Sequence, residues 1–319
     1  MSVDAARRSL TLLLPARARL AGALDQVPVL ARILARGDGT PTDAGDEAQL
    51  QRVFDILPRG LPVAALTREH DCADAGHAMW LRADPAHVRV DLGAGRMLAC
   101  GELGLAREEV EALLQPLKPV FGDAGCPISA GAPSRWYVTL PRDAKLPGFV
   151  APHRVLGDDI FAHLPEGELG RRWRGLMNEA QVILHHHPLN AQRIAQGKLP
   201  VNSLWFWGAG ILPDHVGCHH VAVCSDDLLL AVLAKRAGAR HHPLPLRPEA
   251  ASLVSGALFD LRRVRAIEAL DKDWITPAIH ALARGAVECL QLDFSDGRCW
   301  RYRHANRWRF WRRPPAAWA

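Results

Sequence analysis

The sequence predicts an α/β protein with a mostly parallel sheet flanked by helices, an inserted α+β subdomain and a C-terminal β-hairpin. Two observations predict the core. Strand-like and helix-like segments alternate over the first 66 residues, and short apolar runs bounded by Gly and Pro are typical of strands covered on both faces. A third observation predicts the insertion, because the pattern changes between residues 71 and 147.

The N-terminal elements follow the order strand, helix, helix, strand. Residues 10–14 predict the first strand, and residues 27–36 predict a helix that ends at Gly37. After a Gly/Asp/Pro/Thr-rich loop at 38–46, residues 49–56 predict a helix and 62–66 the next strand. This order is typical of a parallel sheet.

The middle of the chain predicts an excursion from this core. Its elements are strands near 87–91, 97–99 and 135–140 and a helix at 108–117, with Pro/Gly-rich stretches at 116–133 and 141–157. We therefore predict an α/β core of residues 1–70 and 148–285, an inserted α+β subdomain at 71–147, and an Arg/Trp-rich hairpin at 286–319 packed on the core.

Further elements complete the predicted core. Residues 168–186 have apolar positions at helical spacing, and a strand at 221–224 precedes a helix that ends at Gly238, with Ser225 as its N-cap. Residues 271–283 predict one more helix.

Residues 187–210 are the most informative stretch of the sequence. A buried strand at 204–207 follows several polar residues and ends in two glycines that allow a tight turn and a close backbone approach. Because ligands in open α/β sheets bind at the carboxyl ends of strands, we predict one ligand site. Its residues are His187, Asn190, Arg193, Lys198, Asn202, Gly208 and Gly210. In the alternative, the two asparagines only hydrogen-bond backbone between a helix and a strand.

The same stretch resembles a known family. HPLNxxRxxxGKxPVNSLWFWGAG is similar to a block of the archaeal-type, cofactor-independent phosphoglycerate mutases. Over more of the chain, segments such as Ser9–Pro15, Ala65–Glu69, Trp80–Asp91 and Leu164–Gly167 resemble the RpfE-type regulatory proteins of proteobacteria, which are phosphoglycerate-mutase-like. The resemblance implies an alkaline-phosphatase-like α/β fold.

The resemblance also implies a serine nucleophile held between two divalent metals, and such a centre needs many Asp and His ligands. The family has an Asp-Gly after its first strand, where this chain has Leu14-Pro15-Ala16-Arg17. We therefore expect a regulatory pseudoenzyme without a catalytic residue or a cofactor, which binds a phosphorylated or carboxylated metabolite or a protein partner. The alternative is an active mutase or phosphatase, which would require manganese or zinc.

One other segment has metal-ligating residue types. His70, Asp71, Asp74 and His77 fall in a predicted loop, but their spacing matches no closed zinc pattern. A polar surface turn is the simpler interpretation. These four residues remain weak candidates for a metal site.

The C-terminal hairpin suggests a third class of function. Trp300 and Tyr302 alternate with arginines, and residues 307–311 repeat the pattern and predict a third strand. The arginine face could contact phosphates while exposed rings stack on bases, which predicts nucleic-acid binding. In the alternative, the rings pack on the core and the arginines shield an edge strand.

Composition limits the remaining classes. The 319 residues are 49% hydrophobic and 23% charged, and no apolar window approaches a membrane span. The apolar run Leu10–Leu14 is too short for a secretory signal, so we expect a cytoplasmic location, and seven cysteines without CxxC spacing predict reduced thiols. The net charge of +5 comes from residues 298–313, which contain seven arginines and no acid, so a general affinity of the whole surface for polyanions is not indicated.

Overall fold

The computed structural model describes residues 8–91 and 93–313. In chain order the strands are β1 (Ser9–Leu14), β2 (Asp38–Pro41), β3 (Phe54–Leu57), β4 (Met79–Asp91), β5 (Ala94–Cys100), β6 (Ile128–Ala132), β7 (Arg135–Leu140), β8 (Ser203–Ile211), β9 (His215–Cys218), β10 (Ala222–Cys224), β11 (Arg240–His242), β12 (Ala257–Asp260), β13 (Cys289–Phe294) and β14 (Arg298–Arg303).

The helices are α1 (Pro28–Arg36), α2 (Asp46–Val53), α3 (Val63–Cys72), α4 (Arg107–Leu114), α5 (Leu117–Asp123), α6 (Gly167–His185), α7 (Pro188–Ala195), α8 (Leu228–Arg236), α9 (Ile267–Leu270) and α10 (Thr276–Ala283), with a π-helical turn at Asp271–Ile275 before α10.

The chain forms two compact units. Unit 1 comprises residues 1–60 and 214–319, and unit 2 comprises Leu61–Pro213. Unit 2 is wider than the insertion predicted at 71–147, because β8 pairs with β4 and α6 packs on β8. Residues 61–70 and 148–213, which the sequence assigned to the core, therefore lie in unit 2.

Unit 1 has the predicted mostly parallel sheet. Its strand order is β11-β10-β12-β1-β13-β14-β2, and the five strands from β11 to β13 are parallel. Leu10, Leu12 and Leu14 of β1 pack in one core cluster with Phe259 and Leu292 from the neighbouring strands. The α/β fold class and the mostly parallel sheet are confirmed.

The C-terminal hairpin is confirmed as well. β13 and β14 pair antiparallel from Cys289 opposite Arg303 to Phe294 opposite Arg298. The predicted third strand at 307–311 is wrong, because β2 already occupies the other edge of β14. The chain instead forms a 3-10 turn at His304–Trp308, where the Asn306 side chain bonds the Arg303 N–H and the Arg36 carbonyl.

Three local predictions in the N-terminal region are also wrong. Residues 62–66 begin helix α3, because a short apolar run is compatible with a buried helix as well as a strand. The predicted loop at 38–46 contains β2, which forms through pairing with β14 despite its poor strand composition. The helix predicted at 49–56 ends at Val53, and β3 follows directly.

Unit 2 contains an antiparallel sheet. The strand order is β5-β4-β7-β6, and β8 also pairs with β4, from Ser203 opposite Ala86 to Ile211 opposite Met79. Helices α4, α5 and α6 contribute Leu113, Phe121 and Trp173 to the core beneath it. The predicted strand at 204–207 is therefore buried as expected, but it belongs to an antiparallel sheet.

Among the described residues, no helix combines the length and the hydropathy needed to cross a membrane.

Candidate functional site

Asn190 in the predicted ligand block is a structural residue. Its Nδ2 donates to the carbonyls of Leu184 (2.6 Å) and Val201 (2.8 Å), and its Oδ1 accepts from the Val201 N–H (2.9 Å). These bonds hold the end of α6 to the segment before β8. They correspond to the alternative in which the amide only bonds backbone.

Arg193 is committed to partners inside unit 2. Its side chain is only 1% exposed. Nε donates to the Leu199 carbonyl (3.0 Å), Nη2 to the Leu103 carbonyl (2.7 Å) and Nη1 to the Glu109 carboxylate (2.8 Å). An external anion at Arg193 would have to displace these bonds.

The other polar residues of the block differ in their freedom. Asn202 bonds both backbone groups of Val88, with Oδ1 accepting at 2.8 Å and Nδ2 donating at 2.7 Å. His187 is the N-cap of α7, and its Nδ1 accepts from the Leu189 N–H at 3.2 Å. Lys198 is exposed. Ligand binding by this block stays a prediction, and the contacts favour a structural role for most of it.

The two glycines of the block allow a close packing contact. A Cβ at Gly208 would lie 3.0 Å from Val63 Cβ, and a Cβ at Gly210 would lie 2.4 Å from Pro62 Cβ. The close approach expected of these glycines is therefore made to the start of α3.

The weak metal candidates lie at the end of α3 and just after it, where the sequence predicted a loop. Asp71 accepts two hydrogen bonds from Arg135 (2.8 and 2.6 Å) and one from the Tyr137 hydroxyl (2.6 Å), and Asp74 pairs with Arg68. Burial would raise the pKa of Asp71, but its bonds to Arg135 and Tyr137 outweigh burial and lower that pKa.

The two histidines complete no site with these acids. His70 is exposed, and His77 Nδ1 lies 3.5 Å from Arg142. Within residues 8–91 and 93–313, no three His, Cys, Asp or Glu side chains are grouped so that they could hold a metal ion.

The carboxyl edge of the parallel sheet in unit 1 has a different set of polar residues. Beyond β10 and β12, Arg262 donates from Nε to Asp260 Oδ1 (2.7 Å) and from Nη2 to Oδ2 (2.9 Å). Nη2 also lies 3.8 Å from Asp227, the N-cap of α8, and the buried Ser225 hydroxyl donates to Asp260 at 2.8 Å. Ser225 was predicted as the N-cap, but its hydroxyl instead accepts from the Asp227 N–H.

Asp260 and Arg262 are both held in their charged forms. Burial would raise the pKa of Asp260, but the hydrogen bonds and charge of Arg262 outweigh burial and lower it. Burial would likewise lower the pKa of Arg262, but Asp260 and Asp227 raise it.

Two further acids near this edge are paired with arginines. Beyond β1 and β13, Arg17 Nε donates to Asp296 Oδ2 at 2.7 Å. Asp293 near the end of β13 accepts from Arg52 Nε (3.0 Å) and Nη2 (2.7 Å).

The residues at this edge do not fit the two divalent metals that the resemblance implies. Each metal needs several unshared Asp or His ligands. Here Asp260, Asp293 and Asp296 each receive a guanidinium of the same chain, and Arg17 follows β1 where the family has a carboxylate.

Additional arginines lie in the two segments that follow β1 and β12 at this edge. The segment after β1 (15–22) and the segment after β12 (261–267) contain no acid, and they are joined by bonds from the Ala21 N–H to the Arg265 carbonyl (2.7 Å) and from the Ile267 N–H to the Ala21 carbonyl (3.0 Å). Their arginines form what we name the strand-end arginine cluster, which comprises Arg17, Arg19, Arg262, Arg263 and Arg265.

Two members of the cluster are free to bind an external group. The side chains of Arg19 and Arg263 are exposed, and neither guanidinium makes a hydrogen bond or ion pair with any residue that the structure describes. Arg265 is exposed and donates to the Arg262 and Val264 carbonyls, both at 2.9 Å. The sequence prediction missed this cluster because it missed β12. The signal was Leu-Arg-Arg-Val-Arg, which follows the apolar run Ala-Leu-Phe after one intervening residue, Asp260.

Comparisons with known proteins agree with the resemblance in the sequence. The chain is 29% identical over 215 residues to the 2,3-bisphosphoglycerate-independent phosphoglycerate mutase of Methanothrix thermoacetophila, a match that covers 56% of this chain and 54% of the mutase. It is 39% identical over 83 residues to a probable mutase of the same kind from Geobacter sulfurreducens, covering 26% of this chain and 21% of that protein.

Two solved structures align with most of this chain at low sequence identity. The cofactor-independent phosphoglycerate mutase of Thermoplasma acidophilum is 16% identical with a TM-score of 0.39, covering 93% of this chain and 90% of that one. The PH0037 protein of Pyrococcus horikoshii is 13% identical with a TM-score of 0.47, covering 93% and 87%. No protein-family model matches.

Over the matched regions the chain is therefore similar in sequence to 2,3-bisphosphoglycerate-independent phosphoglycerate mutases. The matched region spans about half of the Methanothrix enzyme and about a fifth of the Geobacter protein.

Proposed function

We propose that this chain is a phosphoglycerate-mutase-like protein that binds a phosphorylated or carboxylated metabolite at the strand-end arginine cluster, without metal-dependent phosphoryl transfer. The observation that carries the proposal is the pairing of Asp260, Asp293 and Asp296 with arginines at the edge where α/β folds bind ligands. A regulatory role of the RpfE type and the cytoplasmic location are parts of this proposal.

The chemistry of the cluster favours an anion. Guanidinium groups hydrogen-bond phosphate and carboxylate oxygens in a bidentate way. Arg17 and Arg262 are already neutralised by acids, so Arg19, Arg263 and Arg265 provide the uncompensated charge. The ligand would therefore contact the exposed arginines, while the paired ones hold the strand ends in place.

Binding is tested by a thermal shift with 3-phosphoglycerate as the probe. A ligand at about a hundred times its Kd stabilises the folded state by about 2.7 kcal/mol, which gives a shift of several degrees. The double variant Arg19→Gln/Arg263→Gln should lose this shift. Arg284→Gln, an exposed arginine at the end of α10, is the matched control and should keep it. No shift across a panel of phosphorylated acids, or a shift that both variants keep, contradicts the proposed site.

The absence of turnover is tested on the same sample. Purified protein should contain far less than one manganese or zinc ion per chain, and it should not convert 3-phosphoglycerate when manganese is added. The homology to phosphoglycerate mutases supports the alternative of an active mutase or phosphatase. Stoichiometric metal together with conversion would establish that alternative.

A protein partner is the other binding mode that we propose. In that case the chain should bring down a specific protein whose binding is weakened by Arg19→Gln/Arg263→Gln but not by Arg284→Gln. Equal recovery of that protein with both variants would place the contact elsewhere.

A further inference from the structure

The aromatic residues that follow β14 are exposed, unlike those of the hairpin itself. Tyr302 is buried in the core of unit 1, and Trp300 packs edge-to-face on Phe294 at 5.5 Å. Trp308, Phe310 and Trp311 are 64%, 73% and 66% exposed. The packing alternative thus holds for β14, but the three later rings need another explanation.

Three exposed rings within four residues leave a large apolar area in water. An exposed apolar patch of this kind on a folded unit is typical of a binding surface. Phe310 and Trp311 lie edge-to-face at 5.5 Å, and the Arg307 guanidinium lies 4.8 Å from the Trp308 ring centroid. The rings therefore contact one another or a neighbouring guanidinium, while most of their surface remains exposed to solvent.

Basic groups are interleaved with these rings. Arg307, Arg309, Arg312 and Arg313 alternate with them along the chain, and the exposed Arg303 precedes them. We define the tail surface as Trp308, Phe310 and Trp311 with these five arginines. Asp38 contacts this surface and neutralises Arg309.

The turn that carries Trp308 is held to unit 1. The Arg36 guanidinium donates to the Arg307 carbonyl at 2.8 Å, and Arg309 and Arg312 donate to the carbonyls of Arg36 and Gly37 at 3.1 and 3.3 Å. Anchoring of this kind reduces the conformational entropy that a ligand must overcome on binding.

We propose that the tail surface binds single-stranded nucleic acid. Bases stack on exposed rings, and phosphates pair with the flanking arginines, of which Arg303 and Arg313 have no acid as a partner among the described residues, so rings beside cations match the bases and phosphates of a single strand. A membrane surface would favour segregated apolar and basic faces on a long amphipathic helix, and the 3-10 turn at His304–Trp308 is too short for one. This inference is independent of the proposed metabolite site.

The test is fluorescence anisotropy with labelled oligothymidylate and oligouridylate of about 20 nucleotides, a length that exceeds the site size of most single-strand binders. Duplex DNA and vesicles of phosphatidylglycerol and phosphatidylcholine are measured alongside. The wild-type protein should bind the single strands more tightly than the duplex, and the affinity should fall steeply with salt.

Ring variants test the stacking. Trp308→Ala and Trp311→Ala should each weaken binding by about fivefold or more. Phe161→Ala removes an exposed ring of unit 2 and is the matched control, which should bind as the wild type does. Circular dichroism and a thermal melt establish that each variant is folded.

Charge variants test the phosphate contacts. Arg303→Gln/Arg313→Gln should reduce the slope of log affinity against log salt by about 1.4, since each phosphate contact with a single strand contributes about 0.7. Arg19→Gln/Arg263→Gln should leave oligonucleotide binding unchanged, which separates this surface from the metabolite site.

Three results would overturn the inference. The wild-type protein could bind none of the single strands, the ring variants could bind as tightly as the wild type, or the rings could be required for vesicle binding but not for oligonucleotide binding. The last result would assign the surface to anionic lipid.

Discussion

Replacing Arg193 by alanine tests whether this residue supports unit 2 or binds a ligand. The change removes three hydrogen bonds at once. The carbonyls of Leu103 and Leu199 lose their side-chain donor, and the Glu109 carboxylate loses its ion pair and keeps only the Ala106 N–H and the nearby charge of Lys198. A buried acceptor left unsatisfied costs about 1–3 kcal/mol, and breaking a fully buried ion pair costs about 3–5 kcal/mol.

The magnitude follows from the exposure of the two partners. Arg193 is 1% exposed, but Glu109 is 15% exposed, so water can solvate part of its carboxylate when the arginine is absent. We therefore expect a loss of about 3 kcal/mol, at the lower end of the range for buried pairs. For a unit of about 150 residues this corresponds to a fall in Tm of about 6–12 °C.

The assay is differential scanning calorimetry of the full chain with two comparison variants. Lys198→Ala removes the exposed cation of the same block and should change the stability by less than about 0.5 kcal/mol. Arg193→Ala/Glu109→Gln removes the uncompensated carboxylate as well and should recover about 1 kcal/mol.

One result would refute this reasoning. If Arg193→Ala has the same Tm as the wild type but no longer shows the thermal shift with 3-phosphoglycerate, Arg193 is a ligand-binding residue. Its internal contacts would then contribute little to the stability of unit 2.

Three further predictions concern other buried groups. Burial lowers the pKa of His220, whose ring nitrogens have no hydrogen-bond partner among the described residues, to about 4. The stability should therefore fall by up to about 3 kcal/mol from pH 6.5 to 4, and His220→Phe should abolish this fall in urea titrations. Gly210→Ala should cost about 1–3 kcal/mol by overpacking, whereas Gly148→Ala, with open space around its Cβ, should be neutral in the same melts. Asp260→Asn should weaken the pair with Arg262 and make the stability fall less steeply on acidification below pH 4. The reason is that the pKa of Asp260 is lowered in the folded state, so its ionised form stabilises the fold and this stabilisation is lost when the carboxylate is protonated.

Each of these predictions has a clear contrary result. A wild-type stability that is constant between pH 6.5 and 4 would contradict the assignment of His220 as a neutral buried group. Equal melting of the two glycine variants would show that α3 can move away from β8. An unaltered acid profile in Asp260→Asn would mean that other carboxylates control acid unfolding.

The parallel sheet was predictable from local patterns, but most of its strand pairs were not. β1 was predicted from its leucines, yet its parallel partners are β12 and β13, which lie more than 240 residues further along the chain. β12 has only four residues and lacks a regular alternation, so its local signal was weak. The apolar run at 62–66 became a helix for the related reason that a short buried segment shows no distinguishing period.

The candidate site was predicted less well than the fold. The sequence shows that Arg193 can pair with an anion through its guanidinium, but its partner is Glu109, which lies 84 residues away in the sequence. Whether an arginine meets an internal acid or an external anion depends on such distant contacts. The arginines after β12 were visible in the sequence, but their importance depended on a strand pairing that only the structure supplies.

The pairing of β3 with β9 has a consequence for how this chain folds. Leu57 lies opposite His215, so the chain leaves unit 1 and returns to it side by side, at the same end of one short antiparallel ladder. Closing that loop of roughly 150 residues from an unstructured chain costs about 4 kcal/mol of entropy. Formation of unit 2 within the loop shortens the flexible part of the chain. We therefore expect destabilised variants of unit 2, such as Arg193→Ala, to slow the folding of unit 1, although they alter none of its contacts.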